Sequence, residues 1–413
     1  MVKGLLALAA IIAGTMVLQL ANAILGIIVP LQMGLLGKST AVIGAVVTAY
    51  ALGFLVGCLG APAFIRPIGH IRAFAALAAT LSVATLLFTT TDSPLAWAVL
   101  RFAMGACVAA VFTVVESWIT GEAPKGDRGR VIAVYMVCNK TGVMLGQGLL
   151  VVGDAASAGF FVFVCACFSF SLVPVALTRA GGPVPQDAVT LGIRALYRIA
   201  PVGVVGCLGA GLVNASVLGL APVYGLGIGL APERIALLVL VAQLGSLLLQ
   251  WPLGWLSDRI DRRQVIVGAC ATGAAASLAI ALWGRDDPLL LLGLFALWGA
   301  FSLSIYAVCI AHASDFAKPA ELLPLISSLL VAWAIGSTVG PPLATLAMTA
   351  AGEDGLFAYA ALVTALIGAF AGWRMTRRRA PPRALREAFV NMPATSPAVA
   401  ELSPRVGRET DAE

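Results

Sequence analysis

Apolar residues in this chain run in long unbroken blocks instead of alternating with polar ones, and most blocks reach the ~20 residues that a helix needs to cross a bilayer core. They cover 4–29, 41–63, 72–90, 95–119, 130–152 and 158–178, and then, beyond a polar stretch from Arg179 to Arg198, 199–222, 235–256, 264–284, 288–312, 322–349 and 355–374. The pattern predicts an all-α integral membrane protein with twelve transmembrane helices. It divides the chain into an N-terminal six-helix bundle (1–178), a cytoplasmic linker (179–198), a C-terminal six-helix bundle (199–374) and a cytoplasmic tail (375–413). Gly and Pro are frequent inside the blocks. Membrane helices tolerate them where neighbours re-satisfy the backbone.

The first block could pass for a signal peptide, with Lys3, an apolar run and the triplet Ala21-Asn22-Ala23. The apolar run continues past that triplet to Pro30, so it reads as an uncleaved first span. Composition agrees with a lipid-embedded chain: 60% of the 413 residues are hydrophobic and 11% charged, less than half the charge of an ordinary soluble domain.

Lys and Arg then set the orientation, because short cationic loops stay on the cytoplasmic side. With both termini inside, 21 of the 26 cations lie in cytoplasmic segments. Lys38, Arg234 and Arg285 lie outside, and Arg101 and Lys140 lie within spans. This predicts a multi-pass protein of the bacterial inner (plasma) membrane with both termini cytoplasmic. The net charge of +6 is the sum of that bias and carries no indication of nucleic acid. The stretch 380–413, rich in Pro, Ala, Ser and Glu, reads as a disordered tail.

The eight cysteines all fall in apolar spans without a Cys-x-x-Cys pair, as packing residues do. The two histidines, His70 and His312, sit at span ends far apart in sequence, so no metal and no cofactor is expected. No Gly-x-x-x-x-Gly-Lys-Ser/Thr loop is present to bind ATP. No nucleophile-base cluster marks an enzyme.

Sliding the sequence on itself by 194 residues brings Gly60 onto Gly254, Leu100-x-x-x-x-Gly105-Ala106 onto Leu294-x-x-x-x-Gly299-Ala300, and Gly142 and Gly146 onto Gly336 and Gly340. One offset serving three helix pairs points to an internal duplication of parallel type.

Gly254-Trp-Leu-Ser-Asp258-Arg259-Ile-Asp-Arg262-Arg263 resembles the loop motif between spans eight and nine of the major facilitator superfamily. Within that superfamily the chain resembles the YcaD-like bacterial branch, through Gly69-His70-Ile71-Arg72-Ala73-Phe74, Glu116-Ser117-Trp118, Arg128-Gly129-Arg130, Tyr135-Met136, Gly146-Gln147 and Gln250-Trp251-Pro252. The resemblance implies a secondary active transporter working by alternating access. It implies a cavity lined by spans one, four, seven and ten. Two departures stand out. Phe64 replaces the acidic residue in the first-half loop, and Gly146-Gln147-Gly148 lacks the proline typical of proton-coupled drug exporters. In the loops, Arg72, Glu116, Arg128, Arg130, Gly254, Asp258, Arg259, Arg262 and Arg263 are candidate gating residues, with Glu116 expected to pair with Arg72, Arg128 or Arg130. Such pairs suit a gate that opens repeatedly, since exposed ones contribute only ~0–1 kcal/mol.

Charges buried within spans carry the most information, because each costs from ~2.5 kcal/mol upward. Arg101 lies ~9 Å of helix rise inside span four and Lys140 ~15 Å inside span five, with no mid-span carboxylate to neutralise them. The repeat puts Phe295 and Ala334 in their places, so the fold itself does not need them. Gln19, Asn22, Gln147, Asn214, Gln243 and Tyr306 complete the candidate substrate site. The expected cargo is a small organic anion or zwitterion, with a coupling ion left open, for a chain read as a lipid-embedded monomer. The alternatives are an exporter of neutral or cationic amphiphiles and a non-transporting membrane sensor.

Overall fold

The computed structural model describes residues 2–122, 128–177, 191–377 and 389–397. Its elements are α1 (Val2–Leu35), α2 (Thr40–Ile68), α3 (His70–Leu87), α4 (Pro94–Glu122), α5 (Arg128–Val152), α6 (Gly159–Ala176), α7 (Ile193–Ile199), α8 (Pro201–Gly227), α9 (Pro232–Arg259), α10 (Arg262–Trp283), α11 (Pro288–Ser302), α12 (Ile305–Ser314), α13 (Pro319–Ala351) and α14 (Gly355–Arg377). A single 3₁₀ turn, Phe88–Thr90, follows α3.

The starts of several helices are written locally. Pro201, Pro232 and Pro288 open α8, α9 and α11, where their missing N–H is not needed. Ser39, Asp261 and Asp287 accept a backbone N–H at the starts of α2, α10 and α11. Between α2 and α3 the chain reverses at Gly69, whose φ of 79° suits a residue without a Cβ.

Among the described residues, 11 helical segments are long and apolar enough to cross a membrane, α11 and α12 counting as one continuous segment. The remaining long helix, α5, has 25 residues. It is the least apolar because it carries Asn139, Lys140 and Gln147 among its neighbours. The tenth predicted span is interrupted at Leu303 and Ser304, where the Ser304 hydroxyl donates to the Ala300 carbonyl at 2.7 Å. A hydroxyl bonding back one turn offers that carbonyl an alternative to the helical ladder. The short helix α7 begins within the predicted linker and ends one residue beyond it, at Ile199.

Each half repeats the same packing. α1 lies along α5 and α6, and α2 along α4; α8 lies along α13 and α14, and α9 along α11. The glycines that match at the 194 offset explain why. A Cβ on Gly105 would strike the Tyr50 carbonyl, and one on Gly299 the Ala242 carbonyl. Likewise Gly142 and Gly146 face the carbonyls of Met16 and Leu20, while Gly336 and Gly340 face those of Leu208 and Leu212. Small residues let membrane helices touch backbone to backbone, where dispersion replaces the hydrophobic drive that lipid removes. Gly60 and Gly254 behave differently: nothing stands near Gly60, whereas the Phe389 ring lies on Gly254.

Candidate functional site: a central cavity with one buried cation

The halves meet along α2 and α13, α5 and α9, and α1 and α8. They close on one another at the face carrying loops 36–39 and 228–231, where Gly44 abuts Thr345, Gly34 abuts Leu226 and Gly219 abuts Val47. Below this closure lies a cavity of about 360 Å³. Its wall is mostly apolar, with a few convergent polar groups, which is the usual composition of a small-molecule site.

Six of the eight residues proposed for the site line this cavity: Gln19, Asn22, Arg101, Gln147, Asn214 and Gln243. Arg101 is the charged member among the described lining residues, and no carboxylate stands in the wall. Its side chain is 6% exposed. Nε and Nη1 have no hydrogen-bond acceptor. The guanidinium lies 4.2 Å from the centre of the Tyr50 ring, whose face attracts a cation, and the Tyr50 hydroxyl donates to Asn22 Oδ1 at 3.1 Å. The side-chain oxygens of Gln19, Gln147 and Asn214 are likewise buried without partners.

The other two expected site residues stand outside the cavity wall. Lys140 is not among the lining residues; from α5 its amine donates to Gln243 Oε1, on α9 and in the wall, at 3.3 Å. It braces one half against the other. Tyr306 is 5% exposed and stands behind the wall, edge-on to Trp333 with ring centres 6.0 Å apart. Trp333, Phe54, Phe112 and Ser337 are lining residues that sequence reasoning missed. The first three hide among other apolar residues, and nothing in their spacing separates a cavity face from a lipid face.

The loop motif is ordered mainly within the second half. Arg262, 1% exposed, bonds Asp315 Oδ2 at 2.7 Å and Ser257 Oγ at 2.9 Å, and pairs with Asp258 at 3.2 Å. Arg263 pairs with Asp261 at 2.7 Å and donates to the Arg374 carbonyl. Burial pushes the Asp261 carboxyl up, but the bonds from Arg263 outweigh it and hold the group below its ordinary value. Arg259 stacks on Trp255, 3.4 Å from the ring centre. Asp315, at the end of α12, had drawn no attention in the sequence, since an acidic residue in a polar loop carries no spacing signal.

In the first half the expected pairing of Glu116 with Arg72 or Arg130 does not form among the described residues. Arg72 and Arg130 are exposed, and the Arg128 side chain lies outside the described residues. Glu116 is fully buried and accepts hydroxyls from Tyr135 at 3.0 Å, from Thr395 and from Ser396. Two of those donors belong to 389–397, which the sequence assigned to a disordered tail. These nine residues are packed between the halves instead, with Met392 4% and Ser396 0% exposed. The rest of 378–413 lies outside the described residues. His70 bonds Ser117 at 2.8 Å and His312 stands edge-on to Phe316.

A paired set of six-helix bundles around a central, mostly apolar cavity defines a membrane transporter fold. The sequence profile of the Major Facilitator Superfamily matches residues 11–242 and again 210–406, and the chain belongs to that family. It is 28% identical over 356 residues to the MFS-type transporter YcaD of Salmonella heidelberg and to that of Salmonella typhi, alignments covering 86% of this chain and 92% of each relative. These relatives place it in the YcaD-like branch, among transporters and not enzymes.

Solved structures share the fold at low identity. The nucleoside transporter NupG superposes with a TM-score of 0.72 at 13% identity, over 91% of this chain and 100% of that one. A bacterial homologue of the human lysosomal transporter Spinster, inward-facing and occupied, gives 0.71 at 15%, over 90% and 96%. The D-xylose-proton symporter gives 0.68 at 16%, over 88% and 96%.

Proposed function

We propose that this chain is a secondary active transporter that moves a small organic anion, or a zwitterion with an exposed carboxylate, through the central cavity by alternating access. Residues 1–178 and 199–374 are the two bodies that rock around it. The observation that carries the reading is Arg101, a buried guanidinium in a cavity wall with no carboxylate among its described residues, two of whose nitrogens have no protein acceptor among the described residues. A buried charge is paired or neutralised, and a bound carboxylate supplies the pairing that Tyr50 gives only through its ring face. A fork of donors matches a carboxylate with two parallel bonds, which an ammonium does not. The face holding 389–397 is cytoplasmic, as the cation count predicts, so the conformation is closed outward. In the opposite conformation the arginines and acids of the loop motif form the cytoplasmic latch.

The test is a metabolite-wide thermal-shift screen of the purified protein with matched carboxylates and their amides, since a ligand that prefers the folded state raises its apparent stability. Arg101→Gln is expected to weaken carboxylate binding by about 2–5 kcal/mol, roughly 30-fold to several thousandfold, and Arg101→Lys to weaken it as well. Lys140→Gln, which removes the brace to Gln243, is expected to leave the preference for carboxylate over amide intact. A ligand bound equally well as acid and amide, and indifferent to Arg101→Gln, would establish the rival, an exporter of neutral or cationic amphiphiles.

A further inference from the structure

We propose that residues 389–397 are a resident plug that the chain inserts into its own central cavity from the terminal face, excluding solute and holding the two halves in the conformation closed at the other face. The proposal rests on where the segment sits, independently of the cargo's charge.

The segment is tied to both halves by different chemistry at each end. On the second half, the Phe389 N–H donates to Asp258 Oδ2 at 3.0 Å and the Phe389 ring covers Gly254. Beside them Asn391 Oδ1 accepts from Gln250 Nε2 at 2.6 Å. On the first half, Thr395 and Ser396 donate to the Glu116 carboxylate, and the Thr395 carbonyl lies 4.0 Å from the Cys58 sulfur. In between, Met392 enters the apolar core. Ala394 and Thr395 form part of the cavity wall that Arg101, Tyr50 and Asn214 also line. A solute reaching Arg101 from the terminal face must displace them.

The anchors explain two oddities of the sequence. Glu116 is a fully buried carboxylate with no cation partner among the described residues, and hydroxyl donors from the segment supply two of its three described side-chain bonds. Gly254 matches Gly60 in the repeat, yet the Phe389 ring covers Gly254 while a Cβ on Gly60 would meet no described residue within 4 Å, so the two copies differ at this position. From Arg377 to Phe389 there are eleven intervening residues, enough to span up to roughly 40 Å when extended, so the segment can leave and return while tethered at high effective concentration. If it is docked 99% of the time, a ligand needing the cavity from that face binds about 100-fold more weakly than to the unplugged protein.

Hydrogen exchange on the full-length protein tests this without any solute. The peptide containing Phe389 to Ser396 is expected to exchange at least 100-fold more slowly than an unprotected peptide. Ser396→Asp sets a second carboxylate against buried Glu116 and is expected to abolish that protection while the helices of both halves keep theirs. Thr395→Cys, in a chain retaining Cys58 and lacking the other cysteines, is expected to cross-link to Cys58 under mild oxidation, a bond that mass spectrometry of the linked peptides identifies. Exchange of 389–396 at the unprotected rate in the wild type overturns the plug. So does protection that Ser396→Asp leaves unchanged, together with no Cys58 cross-link. If the segment behaves as a plug and no carboxylate ligand is found, the cargo reading fails and this one stands.

Discussion

Replacing Asp315 by Asn tests which carboxylate holds the loop motif together. The sequence motif singles out Asp258, but the structure gives Arg262 a shorter contact to Asp315, 2.7 Å against 3.2 Å. At such similar separations the bare Coulomb attraction is nearly equal, so screening decides. The Asp315 side chain is 2% exposed and that of Asp258 34%. Removing one partner of a buried pair costs about 3–5 kcal/mol. Arg262 retains Ser257 and Asp258 in the variant, which brings the expected loss for Asp315→Asn to about 2–3 kcal/mol by the same reasoning. Asp258→Asn, at a solvent-screened position, should cost about 0–1 kcal/mol. If the second half unfolds as a unit, these figures correspond to midpoint shifts of about 4–12 °C and under about 4 °C. A fluorogenic thiol dye read during heating reports the transition, because Cys207, Cys270 and Cys309 in that half are all buried. An Asp258→Asn shift equal to or larger than that of Asp315→Asn would refute the reasoning.

Three further outcomes are expected. Gly105→Ala and Gly299→Ala drive a methyl into a neighbouring helix carbonyl and should each cost about 1–3 kcal/mol, whereas Gly60→Ala meets nothing within 4 Å and should be neutral or stabilising; thermal midpoints of the three variants decide. The Asp261 carboxyl lies below its ordinary 3.8 when folded, so its contribution is present above the unfolded value and disappears as pH falls through the folded one. The midpoint difference between wild type and Asp261→Asn should therefore stay constant above about pH 5 and close only in stronger acid. Reporters active only in the cytoplasm should work when fused after Arg263 and after Arg379 and fail between Gly284 and Pro288; activity at the last site would reverse the orientation.

The sequence by itself determined the spans, the duplication and much of the cavity wall. Transfer of apolar blocks into lipid and the need for small residues at close crossings are local or pairwise demands, and each leaves a periodic trace. Thus Gly105 and Gly299, or Gly146 and Gly340, announced their contacts by recurring at one offset. A polar side chain within a span is costly enough to be conspicuous, which is why Gln19, Asn22, Arg101, Gln147, Asn214 and Gln243 could be picked out singly.

Partner choice was decided by tertiary structure alone. A helix that is apolar all round has no polar face to fix its rotation, so the sequence could not say that Arg101 meets the ring of Tyr50 or that Lys140 bonds Gln243. Nor could it show that Glu116 would take hydroxyls from 389–397. That segment has the composition of a solvated tail. It becomes ordered through a surface assembled from α2, α4 and α9, helices brought together only in the folded chain, and a composition-based reading sees none of those contacts because their free energy belongs to the assembled surface and not to the segment.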